Sequence, residues 1–182
     1  MKAQNMPTLA WALAIVLVTA GFAPAQPEPV QYTSSSLVRT GRWQAGGGMG
    51  FLADTPDDTA FAVNLHADYF LDDAWSVGPL AQLAFTGDLA LYGFSGQAKY
   101  WFPAWDSAGR TRPFFQAGIG FVHAAIQNDD TSWLVPLGIG LQHTLNNGIS
   151  LYGTFLLNFT DLDAGRGADA DVMPGVTFGV QF

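Results

Sequence analysis

The chain has 182 residues, of which 12% are charged and 14% aromatic, with no cysteine and a net charge of −8 at neutral pH. A soluble domain carries about 25% charged residues and a helical membrane protein carries long apolar runs; past its N-terminus this sequence has neither, and its mean hydropathy is only +0.18. The acidic balance excludes a basic nucleic-acid footprint, and the missing cysteines exclude disulfides, thiolate metal sites and a lipid-bearing N-terminal cysteine.

Residues 1–25 read as a signal peptide. Lys2 supplies the positive start, Thr8 to Ala20 (TLAWALAIVLVTA) the apolar stretch, and Ala23–Ala25 (APA) a small-x-small cleavage site before Gln26. Residues 26–41 read as a flexible polar lead-in. From residue 42 to 182 apolar residues alternate with small or polar ones, the period of a half-buried strand. Eight segments of transmembrane-strand length result: Arg42–Ala53, Ala60–Leu71, Trp75–Thr86, Leu89–Phe102, Arg112–Ala124, Ser132–Thr144, Ile149–Thr160 and Asp171–Phe182. Turn-like pieces separate them: DTPDD, LDDA, TGD, PAWDSAGRTR, QNDDT, LNNG and TDLDAGRGADAD. The expected fold is all-β, a single eight-stranded antiparallel transmembrane barrel with up-and-down connections.

The apolar parity of each segment predicts its outward face. Phe61, Val63, Leu65 and Tyr69 share it on the second strand, and Val135, Leu137, Ile139 and Leu141 on the sixth. No Asp, Glu, Lys or Arg falls on this face in any segment. Lipid demands that, since a charge there costs about 2–4 kcal/mol at mid-bilayer. The opposite parity holds Gly, Ser, Thr, Asn and Gln, as a narrow closed lumen requires. Aromatic residues collect at the strand ends. Trp43, Tyr69, Trp75, Tyr100, Trp101, Phe102 and Trp105 form one expected girdle, and Phe51, Phe85, Trp133 and Phe159 the other.

Four charges lie on the inward parity near the end that holds both termini: Arg42, Asp68, Lys99 and Arg112. A lone buried charge is costly, so the expectation is a polar lumen plug in which Asp68 pairs with Lys99 or Arg112. Gln44, Gln97, Gln116, Gln142 and Gln181 would join it. At the other end, small inward residues such as Gly48, Ala62 and Gly118 could leave a pocket, or Leu80, Phe114, Leu134, Tyr152 and Met173 could fill it. An eight-stranded barrel holds side chains or at most one small ligand.

Little else suggests chemistry. The GIG pairs at Gly118–Gly120 and Gly138–Gly140 lie within strands, not before a helix, so they read as room in the lumen. His123 with Asp129, Asp130 and Ser132 is the one candidate nucleophile–base–acid set. Ten aspartates flank the connections at that end, among them Asp54, Asp57, Asp58 and Asp88. Solvation explains them, and a divalent-cation collar toward lipopolysaccharide phosphates is the sharper reading.

GGGMGF (46–51), ADYFLDDAWSVG (67–78), RPFFQAGIGF (112–121), LVPLGIGLQHTLNNGISLYGTF (134–155) and the final Phe182 together resemble the small eight-stranded outer-membrane barrels, the OmpA-like and opacity-type surface protein group. The resemblance implies an outer-membrane location with periplasmic termini. It implies that Val176, Phe178, Val180 and Phe182 form the signal read by the barrel-assembly machinery. No peptidoglycan-binding domain is expected, since the sequence runs out at Phe182. The expected role is structural or surface-interacting, without catalysis or cofactor. The expected partners are outer-membrane lipid and lipopolysaccharide but no nucleic acid, with the chain a monomer. The alternatives are a binder or conduit for a small hydrophobic ligand in the upper lumen, and a lipid A-modifying hydrolase, a chemistry that some barrels of this size perform.

Overall fold

The computed structural model describes residues 39–87, 89–125, 129–163 and 169–182. Eight strands run in chain order: β1 Trp43–Thr55, β2 Asp58–Phe70, β3 Trp75–Phe85, β4 Ala90–Trp101, β5 Thr111–Ala125, β6 Asp130–Thr144, β7 Ser150–Asp163 and β8 Asp169–Gln181. Each pairs antiparallel with its sequence neighbours, and β8 returns to β1, closing the barrel. Closure runs from Gly46 opposite Gln181 to Leu52 opposite Gly175. It extends one residue further, because Phe182 and Ala45 exchange two backbone hydrogen bonds of 2.9 Å each. Closure leaves no unpaired edge.

The period of two fixes which side chains go where. Met49, Phe51, Leu65, Phe94, Ile119, Phe121, Ile139 and Phe178 stand on the outside and are exposed, Ile119 by 72%. A soluble monomer rarely exposes contiguous apolar surface of this extent, whereas hydrocarbon favours it. Val135 and Leu137 share the outer face with Ile139, while Gly138, Gly140 and Gln142 face inward.

Several strands run longer than the sequence suggests at the end away from the termini. The acidic stretches read as loops because Asp favours turns. Beyond an apolar belt, however, a ladder of polar residues can continue into water. Thr55 thus pairs with Asp58, Ala124 with Asp130, and Asp163 with Asp169. DTPDD shrinks to a hairpin about Pro56 and Asp57. Asp54 and Asp58 take positive φ of 53° and 69° there, and the Thr55 hydroxyl donates to the Asp58 carbonyl at 2.5 Å. Aspartate tolerates this left-handed backbone better than most residues.

Two glycines make close approaches possible. A Cβ on Gly78 would lie 1.7 Å from the Ala67 carbonyl oxygen, where β3 presses against β2 beside Asp68. A Cβ on Gly140 would lie 2.2 Å from the Phe114 ring, so this GIG glycine is the seat of a lumen side chain.

The interior is layered. At the end away from the termini, Leu52, Leu89, Leu91, Val122, Leu134, Leu162 and Met173 cluster with five buried alanines. At the terminal end lies an aromatic group of Phe70, Trp101 and Phe114. Polar side chains fill the middle. Trp101 departs from the expected girdle, being only 2% exposed. The reason is parity: it shares the inward face of β4 with Gln97 and Lys99. Its ring lies 5.5 Å from Phe70 and 4.8 Å from Phe114, and its Nε1–H donates to Ser76 Oγ at 2.9 Å.

Candidate functional site

The best-defined polar constellation centres on Asp68, which β2 directs into the lumen and which has no solvent exposure. A carboxylate there must be neutralised and hydrogen-bonded. Lys99 on β4 donates to Asp68 Oδ2 at 2.8 Å, Gln181 on β8 donates to the same oxygen at 2.9 Å, and Gln97 donates to Oδ1 at 3.3 Å. His66, two residues earlier on the same inward face, places Nε2 at 3.6 Å from Oδ2 and its ring edge-on to Tyr152.

Gln97, Gln181 and Gln142 each donate and accept, which carries the network around the wall. Gln116 donates to Gln97 at 3.4 Å, and Gln142 donates to Gln181 at 3.0 Å. Arg39 completes it by donating to Gln142 at 3.1 Å and to Thr144 at 3.4 Å; the Thr144 hydroxyl in turn meets that of Ser150 at 2.9 Å. The Arg39 guanidinium lies 5.4 Å from the ring centres of both Phe70 and Trp101, within cation–π range. Lys99 likewise sits 5.4 Å from the Phe114 ring centre.

Of the four charges singled out in the sequence, the structure therefore brings two together, Asp68 and Lys99. Arg112 is turned to the rim, where Nε donates to the Phe102 carbonyl at 3.1 Å and a terminal nitrogen donates to the Asp73 carbonyl at 2.7 Å. Among the described residues no backbone N–H outside the strands donates to these two carbonyls, and they hold Arg112 away from the lumen. Arg42 is not in the lumen but exposed at the mouth. Its expected place is taken by Arg39, from the segment read as flexible lead-in, because the backbone turns at Gly41, with φ of 74°, before β1 begins. Gln44 faces inward, yet its side-chain oxygen takes no hydrogen bond.

His66 was legible as an inward residue of Asp68's parity. Arg39 was not, because it precedes the first strand and no periodicity reaches it.

The candidate catalytic set does not assemble. His123 faces outward and its Nδ1 meets Thr131 Oγ1 at 2.8 Å, whereas Ser132 has the opposite parity and its Oγ accepts from the Asp161 amide at 3.3 Å. Asp130 is used by the backbone: its carboxylate accepts from the amides of Thr131 and Asp163, each at 2.8 Å. Asp129 is exposed. Among the described residues, no group of three or more His, Asp or Glu is placed to hold a metal ion. Asp88 lies outside the described residues, and Asp57 accepts from the Thr86 hydroxyl.

The long PAWDSAGRTR connection is organised by one side chain. Asp106 accepts from the Thr111 amide at 2.6 Å and the Arg110 amide at 3.2 Å. The Thr111 amide chiefly, with that of Arg110, holds the Asp106 carboxyl below its ordinary range. Val176, Phe178 and Val180 on β8, and Phe182 just beyond it, all stand outward and exposed.

Solved structures with the same arrangement include Neisserial surface protein A, with a TM-score of 0.55 at 17% identity over 76% of this chain and 94% of that one. OprG of Pseudomonas aeruginosa gives 0.52 at 14% identity, over 79% and 97% respectively. The N-terminal β-barrel domain of Pseudomonas aeruginosa OprF gives 0.51 at 15%, over 77% and 97%. This is the fold of the small eight-stranded outer-membrane β-barrels. No protein-family model and no curated protein sequence matches the chain. Identities this low carry the barrel fold and leave the lumen's chemistry to this chain's own residues.

Proposed function

We propose that the chain is a monomeric outer-membrane barrel with a structural or surface-interacting role and no catalytic activity, its termini in the periplasm. The observation that carries this reading is the filled lumen: an apolar layer, a hydrogen-bonded polar layer centred on Asp68 and an aromatic layer follow one another along its axis. An eight-stranded barrel has room for side chains and little more. Outer-membrane lipid and lipopolysaccharide are the natural partners of the charge-free outer belt, and the barrel-assembly machinery is the natural reader of β8. The hydrophobe-conduit alternative loses ground because Leu52, Leu91, Leu134 and Met173 occupy the space that such a ligand would need.

Planar-bilayer recording of the purified barrel tests this, together with mass spectrometry of lipid A from cells with and without the protein. The expected results are conductance at the bare-lipid background and unchanged lipid A. Stable single-channel steps would overturn the closed lumen. Loss of an acyl chain from lipid A would overturn the non-catalytic role.

A further inference from the structure

A second polar spot in the lumen is not part of the Asp68 network. Gln82 on β3 and Asn158 on β7 stand on strands four apart in a ring of eight, that is, on opposite walls. Asn158 is 1% exposed, and its Nδ2 donates to the Met173 carbonyl at 3.4 Å, which fixes the orientation of its amide. Asn158 Oδ1 and Gln82 Oε1 are both buried acceptors without a hydrogen-bond partner. Both residues line one cavity of about 20 Å³, together with Asn64, Thr177 and apolar neighbours such as Leu52, Ala62 and Leu156.

Two unpartnered acceptors on residues that line one small cavity call for a ligand that donates twice. A water needs at least about 10–15 Å³ of such space and two to four polar partners. Metal ions of the calcium class want six to eight oxygens, more than these four polar side chains bring. The Thr177 hydroxyl, moreover, is engaged by Asn64 Nδ2 at 3.5 Å. An ammonium ion could donate twice, but no carboxylate lines the cavity to balance its charge. We propose that this cavity is a binding site for a single water that donates to Gln82 Oε1 and Asn158 Oδ1. The water ties β3 to β7 between the apolar layer and the Asp68 network. The site goes beyond the closed-lumen reading and would stand if that reading fell.

The test uses the full barrel in lipid nanodiscs, with water-to-side-chain magnetisation transfer read at the Gln82 and Asn158 amide groups, and a crystal structure fine enough to order internal water. The expected result is transfer to both amides and one density peak within about 3.2 Å of both oxygens, the outer range of a hydrogen bond. The Asn158→Leu variant should lose the signal at Gln82. Should that variant not fold, the wild-type measurements decide alone. Absence of transfer in the wild-type protein would overturn the proposal, as would density showing both oxygens served by protein donors. Shifts of the two amides on titration with ammonium chloride would overturn it too, by assigning the site to a cation.

Discussion

Asp68 shows how a charge survives inside this barrel. It is fully buried, and its oxygens take hydrogen bonds from Lys99, Gln181 and Gln97. Breaking a buried pair by removing one partner costs about 3–5 kcal/mol, because the other charge is stranded. Lys99→Met should therefore destabilise by about that amount, and Asp68→Asn likewise, whereas the double variant should lose much less than their sum. Arg112→Met should be additive with Asp68→Asn to within about 0.5 kcal/mol, since Arg112 donates to turn carbonyls and not to Asp68. Urea unfolding in lipid vesicles gives both cycles. Additivity of Asp68 with Lys99 would mean that the pair contributes nothing beyond its separate side chains. Parity alone placed both members on one face. It could not choose between Lys99 and Arg112, because that choice depends on carbonyls left open in the turns, which periodicity does not report.

At the scale of strands and turns, β8 and the β4–β5 connection carry the clearest expectations. Phe182 pairs with Ala45 through two backbone bonds and exposes its ring by 72%. Deleting it removes the last rung of barrel closure along with an outward apolar side chain. Heat-modifiable gel migration should then show export retained and folded barrel sharply reduced. Wild-type amounts of folded barrel would refute this. The β4–β5 turn should respond to acid. The Asp106 carboxyl is depressed, chiefly by the Thr111 amide, so its contribution is present above the ordinary carboxylate range and is lost as pH falls through the lower folded value. The protection of the Thr111 amide, taken as its exchange relative to the intrinsic rate at each pH, should fall across that acidic window, and Asp106→Ala should leave that protection low and flat there. The strands were legible because alternation over ten or more residues is a strong signal. Their ends toward the acidic hairpins were not, because Asp signals a turn and yet is accepted in a ladder that continues into water. Trp101 was misplaced for a related reason: aromatic chemistry suggested a girdle, while the parity it shares with Lys99 put it in the lumen.

Across the whole molecule, two unlike stoppers stand in series. The apolar layer about Leu91, Leu134 and Met173 excludes water by packing. At the opposite end, Arg39 reaches in from outside the strands, spanning from Phe70 on β2 and Trp101 on β4 to Gln142 and Thr144 on β6. It ties β6 to β2, four strands away in the ring of eight, as well as to β4. Arg39→Ala would remove two charged hydrogen bonds, each worth about 1.5–3 kcal/mol at most, and cation–π attraction of about 0.5–2 kcal/mol. Ordering the segment before β1 opposes these gains, and a wetter mouth would solvate Gln142 once the arginine is gone. The expected net loss is about 2 kcal/mol in vesicle unfolding. Hydrogen exchange should quicken at the terminal-end rungs near Gln142 and Ser150 but not near Leu134. Conductance should nevertheless stay at background, because the apolar layer does not touch Arg39 and closes the lumen by itself. A variant that conducts ions while remaining folded would show that Arg39 is the barrel's true seal and that the apolar layer leaks.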